Sequence, residues 1–100
     1  MKVELRIQVN WYPQDQECTT RPRYRILIDD TGRMQSEYLA QDLFGRERWE
    51  RNSTYNEQVI ALALVALAAS ARSSTTDGDV TIVDLGLVER KQETGIAQMG

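Results

Sequence analysis

From Val3 to Trp11 every second residue is apolar: Val3, Leu5, Ile7, Val9 and Trp11 fall on one side of an extended chain, Glu4, Arg6, Gln8 and Asn10 on the other. A period of two is the pattern of a strand with one face buried, so the fold has to supply a layer against that face. The same chain contains one. From Val59 to about Arg72 the residues are good helix formers, with Ile60, Leu64, Leu67 and Ala71 in one apolar stripe and Leu62, Ala66 and Ala69 in the next. Thr54-Tyr55-Asn56-Glu57 fits a capping box, which starts the helix, and the pattern predicts one continuous helix over 55–72 with Ile60, Leu64 and Leu67 buried. With 100 residues, 41% of them apolar, one sheet under one long helix is about the largest core the chain can build.

The remaining elements are strands and turns. Tyr12 to Pro22 carries both prolines and reads as a loop. Alternation resumes from Arg23 to Asp29, Asp30-Thr31-Gly32 supplies turn chemistry, and Arg33 to Ala40 completes a hairpin. Gln41 to Asn52 mixes Leu43, Phe44 and Trp49 with charged residues and fits a short helix as well as an ordered loop. Ser73 to Asp79 is polar and ends the helix, and Val80 to Leu85 is a β-branched run, hence a strand. The expected class is α+β in the order β-β-β-α-β, a mixed sheet with one central helix, the last strand lying beside the first. The expected organisation is a single domain over 1–91 with a flexible tail at 92–100.

Charge and side-chain chemistry remove several functions. Twelve basic residues against fifteen acidic ones leave a net charge of −3, so no global positive field gathers nucleic acid. Ten of the twelve cations are arginine and histidine is absent, which excludes histidine-based proton transfer and the commonest transition-metal ligand. Cys18 is alone, without a disulfide partner or an activating base, and reads as an incidental thiol in a reduced, cytoplasmic setting. The N-terminus lacks the apolar run of a secretory signal, and the apolar stretch Val59–Ala69 is too short to span a bilayer, so no membrane partner is expected.

One set of residues carries a family likeness. Val9-Asn10 ends the first strand, Tyr24-Arg25-Ile26-Leu27-Ile28 forms the second, Ser53-Thr54-Tyr55-Asn56-Glu57 enters the alanine- and leucine-rich helix, and Val83-Asp84-Leu85-Gly86-Leu87-Val88 forms the last strand. In this order the chain resembles the N-terminal two-thirds of the ribonuclease H fold, over about residues 3–91. The resemblance implies a truncated ribonuclease H-like topology and two-metal phosphodiester hydrolysis, in which four carboxylates hold two Mg²⁺ ions. Glu57 and Asp84 stand at matching positions, but Asn10 stands where the first-strand aspartate belongs, and the segment carrying the fourth carboxylate is not among these residues. Capping accounts for Glu57, and turn chemistry for Asp29 and Asp30.

The expectation is therefore a non-catalytic binding protein, an adaptor or inhibitor acting through protein–protein contact, with no cofactor. The alternative is a divergent metal-dependent nuclease acting on RNA or an RNA/DNA hybrid, with Mg²⁺ held by Glu57, Asp84 and Asn10. A third reading is an unrelated α+β module in which this order of elements recurs by chance. The partner site is assigned to Trp49 with Arg46, Arg48 and Arg51, taken as an exposed indole among arginines, the composition of an interface hot spot. The nearby Asp42, Glu47 and Glu50 disfavour a phosphate backbone. Arg21, Arg23 and Arg25, a basic stretch without acids beside it in sequence, are the candidate contacts for an anion.

Overall fold

In the computed structural model, which describes residues 2–69 and 73–90, six strands form one mixed sheet and a single helix covers one face of it. The strands are β1 (Lys2–Asn10), β2 (Arg23–Ile28), β3 (Met34–Gln41), β4 (Glu47–Arg51), β5 (Ser73–Asp77) and β6 (Val80–Glu89), with helix α1 (Asn56–Ala69) between β4 and β5. The spatial order is β4-β3-β2-β1-β6-β5; β6 runs parallel to β1 and every other pairing is antiparallel.

The order is thus β-β-β-β-α-β-β rather than β-β-β-α-β, and the two extra strands come from segments without apolar alternation, one rich in charge and the other in small hydroxyl residues. The segment 41–52, read as helix or loop, is a turn followed by β4. The polar run 73–79 is β5 plus the turn Gly78-Asp79 into β6. The expected neighbour of the first strand is confirmed: Val80 to Leu85 belongs to β6, beside β1. The expected tail at 92–100 lies outside the described residues, as do 70–72 of the predicted helix.

Alternation along β1 puts Leu5, Ile7 and Val9 beneath the helix, with Tyr24 and Ile26 of β2 alongside. α1 meets them with Val59 and Ala63, both wholly buried; the alanine has no bulk beyond Cβ, so the helix axis sits close to the sheet. The expected stripe is therefore rotated. Ile60 and Leu67 are half-buried, and Leu64 is 38% exposed. A helix that is apolar all round gives no periodic signal to say which face turns inward. Its start also moves: the Val59 N–H donates to the Tyr55 carbonyl at 3.0 Å, making Tyr55 the N-cap instead of Thr54, and Glu57 is exposed.

Candidate functional site

Among the described residues no helix covers the opposite face of the sheet. That face presents Glu4, Arg6 and Gln8 of β1, Arg23, Arg25 and Leu27 of β2, Glu37 and Leu39 of β3, and Trp49 and Arg51 of β4. Arg25 spans its centre. Its guanidinium pairs with Glu37 at 2.6 Å through Nε, reaches Glu4 at 3.5 Å, and lies 4.8 Å from the centre of the Trp49 ring. A groove of about 420 Å³ runs between Trp49, Leu39, Arg23, Gln8, Arg6 and Asp84.

These contacts revise the expected sites. Arg25 has acids after all, contributed by strands distant in sequence. Arg21 donates through Nη1 to the Cys18 and Thr20 carbonyls at 2.9 Å, and Arg23 is exposed at the groove, forming no ion pair among the described residues. The three do not make one anion site. Around the groove four arginines (6, 23, 25 and 51) alternate with four carboxylates (4, 37, 47 and 84), so the face has no net charge to hold a polyanion. Trp49 is half-buried against Leu39 and under Arg25 rather than freely exposed. Because 47–51 is a strand, Arg51 shares the indole's face while Arg48 points to the other, where it pairs with Glu50 at 2.7 Å. Arg46 lies in the preceding turn, bound to Asp42 at 2.8 Å.

The expected metal ligands are not brought together either. Asp84 lies on the uncovered face opposite Arg6, whereas Glu57 is on α1 across the sheet. Asn10 lies four residues further along β1, roughly 13 Å from the Arg6 level at strand spacing. Its Oδ1 accepts the Tyr12 N–H at 3.2 Å. Asp84 has a local role. Between the pairs Arg6–Asp84 and Gln8–Leu87 β6 holds one extra residue, a bulge in which Gly86 takes φ 72° and Asp84 Oδ1 accepts the Gly86 N–H at 2.9 Å. Among the described residues no group of three or more acidic or cysteine side chains is placed to hold a metal ion.

Sequence reading missed the most exposed apolar pair. Asp29-Asp30-Thr31-Gly32-Arg33, joining β2 to β3, and Asp42-Leu43-Phe44-Gly45-Arg46, joining β3 to β4, are the same turn twice. In each, the aspartate N–H donates to the arginine carbonyl (3.1 and 2.9 Å) and the glycine N–H donates to the aspartate carbonyl (3.0 and 3.1 Å). In each, aspartate Oδ1 accepts two further backbone N–H groups, from Thr31 and Arg33 (2.9 and 3.0 Å) or from Phe44 and Arg46 (2.8 and 2.9 Å). Gly32 and Gly45 take φ 85° and 77°, the left-handed position that closes a three-residue hairpin loop. These bonds hold both carboxyls below the usual aspartate range, the Thr31 hydroxyl acting first on Asp29 and the Arg46 N–H first on Asp42. The Asp-x-x-Gly-Arg repeat is the signal that locates the second hairpin.

The two turns share these backbone bonds and differ in their side chains: the Thr31 hydroxyl donates to Asp29 Oδ1 at 2.6 Å, whereas in the second turn Arg46 Nε donates to Asp42 Oδ2 at 2.8 Å. Asp30 and Thr31 are polar, whereas Leu43 is 100% and Phe44 83% exposed. The Arg46 guanidinium sits 5.3 Å from the Phe44 ring centre and fixes the arginine beside it. Comparison with protein-family models, with curated proteins and with solved structures finds no match to this chain. No helix among the described residues is long and apolar enough to cross a membrane.

Proposed function

We propose that this chain is a non-catalytic protein-binding domain, an adaptor or inhibitor of truncated ribonuclease H-like topology, that engages its partner through the β3–β4 hairpin led by Leu43 and Phe44. One observation carries the reading. The twin turn at 29–33 makes the same backbone bonds with Asp30 and Thr31 in those slots, so the turn itself does not require a leucine and a phenylalanine. Two large apolar side chains kept in water on a tightly bonded loop cost solubility and add no backbone bond to the hairpin beyond those its twin makes, Phe44 giving only a ring face to Arg46; buried in a partner's pocket, each stabilises a complex by roughly 1.5–3 kcal/mol.

Charge selects the class of partner. The hairpin carries Asp42, Glu47 and Glu50 against Arg46, Arg48 and Arg51, with no net attraction for a phosphate backbone or an acidic lipid surface. Arginines beside exposed aromatic and aliphatic anchors suit a protein interface with an apolar centre and a polar rim. Trp49 and Arg51 extend that rim onto the uncovered sheet face. The ribonuclease H-like reading is supported by the parallel pairing of β6 with β1 and by the helix laid over that sheet; the separation of Asn10, Glu57 and Asp84 supports a role without metal chemistry.

The test exchanges the tip for its twin. Leu43→Asp with Phe44→Thr gives both turns the same sequence and should leave the thermal midpoint unchanged. Wild-type and exchanged chains are immobilised and exposed to extract of the source cells. A protein retained by the wild type and lost from the exchanged chain supports the reading. Equal retention by both, or retention of nucleic acid that falls steeply with salt, overturns it.

A further inference from the structure

The outward side of α1 is a second apolar surface, independent of the hairpin. Ala61, Leu64, Val65 and Ala68 follow the spacing i, i+3, i+4, i+7 of a single helix stripe; all four are exposed, Val65 to 65%. Between Glu57 and Arg72 the sequence contains no charged residue. A surface helix of a lone domain ordinarily turns charge outward, so this one is built to be covered on both sides.

We infer that α1 is the interface of a homodimer, in which the stripe packs on the same stripe of a second copy across a two-fold axis. The chemistry of the face selects that occupant. Without charge it offers nothing to complement a charged partner, and its best match is an equally uncharged, equally narrow apolar face, which every other copy of the chain carries. An antiparallel crossing centred between Leu64 and Val65 sets Ala61 of one copy against Ala68 of the other. Alanines at the two ends let the helix axes approach to about 8 Å, and the leucine and valine fill the centre. The size of the patch sets the strength. Fourteen residues make a helix about 21 Å long, and one stripe of it buries roughly 800 Å² over both copies, below the usual range for a permanent complex. The dimer is accordingly a reversible one that forms at micromolar or higher concentration.

Sedimentation equilibrium of the full chain across a thousandfold range of concentration tests this. The mass should rise from 11.5 kDa towards twice that value. Val65→Glu, at a position already exposed, should leave the thermal midpoint of the dilute protein unchanged and raise the dimer dissociation constant at least tenfold. Leu64→Cys in a Cys18→Ser background supplies a second readout, because its thiol lies beside its own copy at the axis and should form an interchain disulfide on oxidation, suppressed by Val65→Glu. A chain that remains monomeric at every concentration overturns the inference, as expected if residues 91–100 or a different protein cover the stripe. A dimer that Val65→Glu leaves intact overturns it too.

Discussion

Asn56 Oδ1 accepts both the backbone N–H of Ser36, at 2.8 Å, and the Ser36 hydroxyl, at 2.7 Å. Ser36 is fully buried in β3 at the level where β4 gives out. The Asn52 N–H meets the Ser36 carbonyl at 3.0 Å, and the Asn52 amide donates to Ser36 Oγ at 3.1 Å. The first residue of α1 thus supplies the acceptor that a longer β4 would have offered, and it ties the helix to the sheet. Asn56→Ala orphans a buried donor and should cost about 2 kcal/mol in urea unfolding. Asn56→Asp, which keeps the acceptor, should cost less. Equal losses for the two variants would place the contribution elsewhere.

The helix faces the sheet through Val59 and Ala63, so cavity costs should follow burial rather than side-chain size. Val59→Ala should destabilise by about 2 kcal/mol. Leu64→Ala, though it removes a larger group, should change the stability of the dilute monomer by less than about 1 kcal/mol. Unfolding midpoints measured at equal, low concentration decide between this orientation and one in which Leu64 points inward.

The first strand, the hairpin from β2 to β3 and the pairing of β6 with β1 were legible because Val3–Trp11, Arg23–Asp29 and Val80–Leu85 show apolar alternation or β-branched runs. β4 and β5 were not. Their inward positions hold Arg48 and Glu50, or small hydroxyl residues, because each lies at the margin of the sheet beyond the helix's cover. The candidate site was legible only in part. Trp49 and the arginines were visible as residues, but the split of Arg48 from Arg51 requires knowing that they sit on a strand, and the acids on Arg25 come from residues 21 and 12 positions away.

Arg25 is held by Glu37 and Glu4 with the Trp49 ring against it. Arg25→Ala leaves the nearly buried Glu4 carboxylate with Arg6 alone and Glu37 without its partner, and should cost roughly 1–3 kcal/mol. Adding Glu37→Ala should recover part of that loss. A double-mutant cycle with zero coupling would show the pair to be independent.

Asp29 and Asp42 have carboxyls held below their ordinary value in the folded state, so each stabilises the fold above the unfolded pKa near 3.8. That contribution is lost as the pH falls through the lower folded value. Asp42→Ala should therefore weaken the protein at pH 7 and differ less from wild type at pH 2.5. A gap between the two unfolding curves that stays constant with pH would mean the carboxylate charge is not what holds the turn.

The central claim is that one of two equivalent turns recognises a protein and the other does not. A photo-crosslinking amino acid placed at position 44, and separately at 31, occupies the same slot of the same loop in each case. Irradiated in extract of the source cells, the chain should give a discrete protein adduct from position 44 and none from 31. Equal labelling from both positions, or no adduct from 44, would contradict the account.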